Sequence, residues 1–187
     1  MSRWLAGCVW LCTCALAGPA HALQNAWVSW VMDGDTVLVL PEGAHEAVRL
    51  RIVGIDAPET CQPGGEEARN ALIAQVHRRT VQIETLGRDS YDRQLGRLWR
   101  EGQDVAAEMV RTGHAWAYSH RVGRGPYAAL QREARRERRG LFAAGESAMP
   151  PPLFRKFHGS CHEDDGALAP SQTLKGRVPH TGQPGSR

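Results

Sequence analysis

A chain of 187 residues with 42% hydrophobic and 23% charged side chains has the make-up of one globular domain with extra segments, which excludes a wholly disordered chain and a multi-span membrane protein. Its formal net charge of +3 is compatible with a polyanionic partner but too small to demonstrate one. Function has to be read from the placement of particular side chains.

The chain opens on Arg3 and an apolar run over residues 4–16, too short to span a bilayer as a helix. Gly18 and Pro19 break that run, and Ala20-His21-Ala22 puts small residues at the two positions a signal peptidase reads. Residues 1–22 are therefore expected to be a signal peptide cleaved after Ala22. That places the protein in the periplasm or outside the cell, with no stable membrane association afterwards. A buried helix is the alternative for 4–16. A lipoprotein box at Leu5-Ala6-Gly7-Cys8 is disfavoured, because almost no apolar stretch precedes Cys8. Cleavage removes Cys8, Cys12 and Cys14 and leaves Cys61 and Cys161. An even pair in an oxidising compartment is expected to form a disulfide, with two free thiols as the alternative.

Residues 27–32 and 36–40 are short β-prone runs joined through Asp33-Gly34-Asp35, and Asp-Gly is among the strongest hairpin signals. A third run, 47–55, stops at Asp56-Ala57-Pro58, since proline cannot donate to a sheet ladder. Residues 66–76 carry Leu72, Ile73 and Val76 at helical spacing, follow Gly64-Gly65, and have Glu66 and Glu67 in the first turn, where acids suit the helix dipole. Strand character returns over 81–86 and 94–100, divided by the polar stretch 87–93. Asp104 caps a helix with an apolar face of Val105, Ala106, Met109 and Val110, ended by Gly113.

Pro126 opens a third helix running toward Gly140, crowded by Arg132, Arg135, Arg136, Arg138 and Arg139. A solvated face is the plainer account of those arginines, and a phosphate-binding surface the other. The folded domain is expected over 25–149. Residues 150–187 form a C-terminal extension that is expected to be disordered from about 163, with Leu153, Phe154 and Phe157 packing back on the domain. Five strands, one helix after the third and two at the end, make an α+β, mainly β protein: a small, partly open five-stranded barrel of the oligonucleotide-binding (OB) type with three helices. Barrels of this kind host many functions.

Asp35 sits in the hairpin, and Asp56 and Glu59 flank Pro58. Carboxylates grouped with turn carbonyls suit calcium, which takes six to eight oxygen ligands in irregular geometry. Phosphodiester hydrolysis needs an activated water and stabilisation of charge on the phosphorane. A planar guanidinium gripping two phosphate oxygens meets the second need, and Arg51 and Arg93 are the candidates. Singly, the Asp-Gly-Asp stretch could be only a turn and Asp56-Ala57-Pro58 only a strand stop.

Three stretches stand in order: Asp33-Gly34-Asp35-Thr36, then Arg51-Ile52-Val53-Gly54-Ile55-Asp56-Ala57-Pro58-Glu59-Thr60, then Asp89-Ser90-Tyr91-Asp92-Arg93. Together they resemble the staphylococcal nuclease (thermonuclease) family, over about residues 27–142. The resemblance implies a five-stranded barrel with three helices that hydrolyses DNA and RNA with calcium and leaves 3′-phosphate ends. It implies Asp35 and Asp56 as calcium carboxylates and Ala57 as the donor of a backbone carbonyl. Glu59 matches the acid that positions or activates water, Arg51 and Arg93 the arginines on the scissile phosphate, and Tyr91 a tyrosine near the terminal phosphate. Tyr118 is a second substrate-facing candidate. A monomer is expected.

Three points stay open on the sequence. Arg51 and Asp56 are five apart and would face opposite ways on an unbroken strand, unless Gly54 marks a bulge or bend. Asp92 stands where the family usually has glycine, and either weakens phosphate binding or points harmlessly to solvent. Arg97, after Gly96, competes with Arg93 for the role beside Arg51, although only Arg93 keeps Asp89 and Tyr91 in family spacing. Two other functions compete with hydrolysis. A non-catalytic OB-fold module that binds nucleic acid would not need all five charged residues, and a calcium-stabilised interaction domain leaves both arginines unexplained.

Overall fold

The computed structural model of the chain describes residues 23–118, 125–143, 148–159 and 161. The expected signal peptide and the tail beyond 163 lie outside these residues. Strands β1 (Gln24–Val31), β2 (Thr36–Pro41) and β3 (Val48–Ile52) run as an antiparallel meander. β5 (Thr80–Arg88) pairs with β1, and β6 (Gln94–Arg100) with β5, both antiparallel. The five strands then close on themselves. β3 and β6 pair in parallel, with Leu50 opposite Gln94, Arg51 opposite Leu95 and Ile52 opposite Gly96. The result is a closed five-stranded mixed barrel where a partly open one is expected from sequence, and closure removes the edges an open sheet would expose.

The period-2 patterning puts Val28, Val37, Val39, Leu50, Ile52, Ile83 and Leu98 inside, each no more than 1% exposed. A register shift in β1 between Val28 and Trp30 resets the alternation, so that Val31 is again buried while Trp27 and Trp30 lie outside. The short β7 (Gln103–Asp104) turns back antiparallel on the end of β6, and α2 (Val105–Arg111) follows at once. Its cap is Asp104, which accepts from the Ala107 N–H at 3.1 Å and from the Tyr127 hydroxyl at 2.7 Å. One carboxylate thus caps α2 and fixes the start of α3 (Ala128–Arg136). α3 is shorter than the sequence suggests, because Arg138 takes a left-handed φ of 54° and a 3-10 turn, Gly140–Phe142, follows. Of the arginines expected there, Arg132, Arg135, Arg136 and Arg138 are exposed, Arg135 lies over Phe142, and Arg139, beyond the end of α3, pairs with Glu133.

Two features bear on the site. The run 47–55 is not one strand: β3 ends at Ile52, Gly54 turns with φ 84°, and β4 (Ile55–Asp56) pairs instead with β8 (Trp116–Ala117). A fourth helix, α4 (Pro151–His158), adds to the three expected. The stretch containing Leu153, Phe154 and Phe157 does return to the domain, but only in part through its apolar side chains: Phe154 is half-buried, whereas Leu153 is 42% and Phe157 64% exposed. Among the described residues no helix is long and apolar enough to cross a membrane.

Candidate active site

The acids converge at one mouth of the barrel because two loops pack together there. In the β1–β2 hairpin, Asp33 Oδ1 accepts the Asp35 N–H at 2.8 Å, a local bond that tightens the turn. A Cβ on Gly34 would stand 2.6 Å from Ala57 Cβ and 2.8 Å from Ala68 Cβ. Only glycine lets the hairpin settle against the Asp56-Ala57 corner and α1 (Gly65–Val76). Asp35 then reaches across: its Oδ2 accepts the Ala57 N–H at 2.7 Å, and its Oδ1 accepts the Thr36 hydroxyl at 3.0 Å.

Arg51 and Asp56 do meet. The Gly54 turn ends the alternation, after which Arg51 Nη2 lies 3.0 Å from Asp35 Oδ2 and 3.1 Å from Asp56 Oδ1. Its Nη1 donates to the carbonyls of Ile52 at 2.7 Å and Ile55 at 3.0 Å. Those two carbonyls border the broken strand, so the break that brings Asp56 round also supplies the acceptors that orient the guanidinium. Asp35 and Asp56 are 5% and 3% exposed. Burial, the largest influence, pushes the Asp35 carboxyl well above the ordinary carboxylate range. Arg51 opposes that shift, while Asp33 and Asp56 add to it.

Two buried carboxylates aimed at one nitrogen, one of them reluctant to ionise, are a donor set that a hard divalent cation would relieve. Asp35, Asp56 and the adjoining Ala57 carbonyl fit such an ion as residue types. Among the described residues no group of three or more His, Cys, Asp or Glu converges as a cage. An ion here would therefore draw on two carboxylates, backbone and water.

Glu59 is held at the loop before α1. Its N–H donates to Gln62 Oε1 at 3.3 Å, its carbonyl accepts the Gln62 N–H at 2.8 Å, and Gln62 Nε2 donates to the Met149 carbonyl at 2.6 Å. Its carboxylate accepts from Arg155 Nη1 at 2.7 Å, and Arg155 Nη2 donates to Asp56 Oδ2 at 3.0 Å. Cys61, two residues beyond Glu59, is joined to Cys161 as a disulfide, with Cα atoms 5.9 Å apart. Sequence reasoning missed Arg155 and Gln62. The signal that could have found Arg155 is the cysteine pairing itself, which brings the segment before Cys161 up to Glu59.

Arg93 is placed differently from Arg51. It precedes β6, whose parallel register with β3 sets it beside the Arg51 strand, and its Nε lies 2.8 Å from Asp89 Oδ2. Asp89 Oδ1 also accepts the N–H groups of Tyr91 and Arg93, each at 2.9 Å. Burial opposes the effect, but these Arg93 and Tyr91 bonds hold the Asp89 carboxyl below its ordinary value. The Tyr91 ring, 78% exposed, lies 5.5 Å from the Arg93 guanidinium carbon. Arg97 is instead a cross-strand partner of Glu84, at 3.1 Å on the barrel wall. Tyr118 is 37% exposed, and its N–H donates to the Gly54 carbonyl at 2.9 Å, which puts its backbone beside the broken strand. The structure thus joins Asp35, Arg51, Asp56, Ala57 and Glu59 in one cluster and carries Tyr91 and Arg93 on a separate loop.

The family described as staphylococcal nuclease homologue matches residues 49–144, a span that includes Arg51, Asp56, Glu59 and Arg93 and leaves Asp35 and Arg155 outside. The chain is 37% identical to a protein named ParB of Escherichia coli over 151 residues, covering 75% of this chain and 84% of that protein. It is 37% identical over 126 residues to a protein of Escherichia coli O157:H7 named uncharacterized endonuclease, covering 67% and 80%. Over 144 residues it is 34% identical to the micrococcal nuclease of Shigella flexneri, covering 71% and 81%.

Proposed function

The chain belongs to the staphylococcal nuclease family and is a nuclease hydrolase acting on nucleic acid, and we propose that it is an exported, calcium-dependent enzyme that cleaves DNA and RNA to leave 3′-phosphate ends. The observation that carries this reading is the sharing of one nitrogen, Arg51 Nη2, by the buried carboxylates of Asp35 and Asp56. Calcium held by those carboxylates and the Ala57 carbonyl would supply charge stabilisation at a phosphate oxygen.

The chain's own groups divide the remaining tasks. Arg51, its Nη groups held by the Ile52 and Ile55 carbonyls and by Asp35 and Asp56, would meet the scissile phosphate through Nε–H, the donor those four bonds leave. Arg93, steadied by Asp89, would approach the same phosphate from the β5–β6 loop, with Tyr91 and Tyr118 as substrate contacts. Glu59 would accept a proton from the attacking water, its backbone held by Gln62. Export is supported by the apolar leader and by a disulfide that an oxidising compartment allows.

Digestion of single-stranded DNA, double-stranded DNA and RNA by protein lacking residues 1–22, followed by end labelling of the products, tests the proposal. Fragments carrying 3′-phosphate from all three substrates are expected. Fragments with 3′-hydroxyl ends would overturn the assigned chemistry.

A further inference from the structure

One charged group in the acid cluster comes from outside the barrel. Arg155, on α4, places Nη1 2.7 Å from Glu59 Oε1 and 3.4 Å from Asp56 Oδ1, and Nη2 3.0 Å from Asp56 Oδ2. The helix is seated by its arginine and its flanks rather than by an apolar face. Leu153 and Phe157 are exposed while Pro151 is buried. Gln62 Nε2 holds the Met149 carbonyl before the helix, and the Cys61–Cys161 bridge holds the chain after it. Both anchors grip the loop that carries Glu59. A helix docked for packing alone would bury Leu153 and Phe157 together with the half-buried Phe154. This one delivers a guanidinium to the two carboxylates.

We propose that Arg155 is the built-in cation of this site: it neutralises Asp56 and Glu59 when no divalent ion is bound, and it competes with such an ion for Asp56. It thereby sets the cation concentration at which the site fills. This inference rests on Asp35 and Asp56 being the calcium carboxylates. Asp56 is the point of competition, because Oδ1 is engaged by Arg51 at 3.1 Å and Oδ2 by Arg155 at 3.0 Å. An ion ligated by Asp56 has to displace one guanidinium or share an oxygen with it. Arg51 is the harder to move: it has four acceptors, two of them backbone carbonyls, and its side chain is 15% exposed. Arg155, 37% exposed and reaching in from a helix outside the barrel, is the one that yields. Its link to the Glu59 loop through the disulfide keeps it close enough to return.

The test is calorimetric titration of calcium, without nucleic acid, into chelator-treated protein lacking residues 1–22. The parent is compared with Arg155→Met, Arg155→Lys and the double variant Cys61→Ser/Cys161→Ser. Removing one charge from a partly exposed cluster should tighten calcium binding roughly tenfold in Arg155→Met. Lysine keeps the charge but cannot bridge two carboxylates, so Arg155→Lys should fall between. Loosening the tether should shift the double variant the same way by a smaller factor.

Unchanged or weaker binding by Arg155→Met, with the parent binding calcium, overturns the competition and leaves the calcium reading standing. Binding by Arg155→Met alone supports the competition and overturns calcium dependence of the parent. Absence of binding in both overturns the two together. If Arg155→Met melts below the assay temperature, the lysine and double-serine variants decide, and weaker binding in either overturns the proposal.

Discussion

Asp92 turns its carboxylate onto Arg88, with Oδ1 2.7 Å from Nη1, and leaves Arg93 to Asp89. Its φ is 58°, the left-handed backbone that glycine adopts most readily and that Asp tolerates better than most residues. Its side chain is 86% exposed. Of the two readings left open by the sequence, the solvent-facing one matches this geometry. Asp92→Gly should therefore leave kcat and KM within about twofold of the parent, as surface changes usually do. A rise of tenfold or more in kcat/KM would mean that the Asp92 charge does reach the phosphate.

Arg93 and Arg97 should separate cleanly. Arg93 stands on the loop beside β3, and a group that meets charge developing in the transition state costs about 10²–10³-fold in turnover when truncated. Arg93→Ala should show that loss in kcat. Arg97 faces Glu84 on the barrel wall, so Arg97→Ala should alter at most KM and its salt dependence. Loss of turnover in Arg97→Ala with Arg93→Ala intact would transfer the role to Arg97.

How much of this was legible in the sequence depends on distance along the chain. The strands of the meander, the hairpin at Asp33-Gly34-Asp35 and the helix capped by Asp104 are local patterns, and the structure keeps them with shifts of a few residues at their ends. The break in 47–55 was signalled only by Gly54. That β4 would turn to pair with β8 was not, since Trp116 and Ala117 form a two-residue strand with no periodicity to detect. The meeting of Arg51 with Asp56 came from family resemblance and was opposed by strand parity. Arg155 was within reach only through the Cys61–Cys161 pairing, because its partners lie 96 and 99 residues away and α4 leaves Leu153 and Phe157 exposed.

Asp35 gives a pH prediction with a definite sign. Burial raises its carboxyl in the native state, so the native protein holds that proton more tightly than the unfolded chain does. The resulting stability is present at acid pH, below the ordinary carboxylate value, and is lost as pH rises through the raised value. Asp35→Asn cannot lose it. In chelator, the melting temperature of Asp35→Asn relative to the parent should therefore climb with pH above the ordinary carboxylate range. A gap that widens toward acid would contradict the assignment.

The Cys61–Cys161 bridge closes a loop of 100 residues, for which the chain-entropy model gives up to about 4.7 kcal/mol. Protein recovered from an oxidising compartment should show no titratable thiol in denaturant. Cys61→Ser/Cys161→Ser should melt lower than the parent. Two free thiols in that preparation would refute the bridge.

Single-turnover cleavage of DNA under three ionic conditions decides whether the paired carboxylates of Asp35 and Asp56 hold calcium for phosphodiester cleavage. Calcium should support cleavage. Magnesium should support it poorly, because that ion demands a tighter octahedron of oxygens than two carboxylates and a turn carbonyl offer. Excess calcium chelator should abolish it, with activity returning when calcium is restored. Cleavage that proceeds at the full rate in excess chelator would rule out calcium at Asp35 and Asp56 as its requirement.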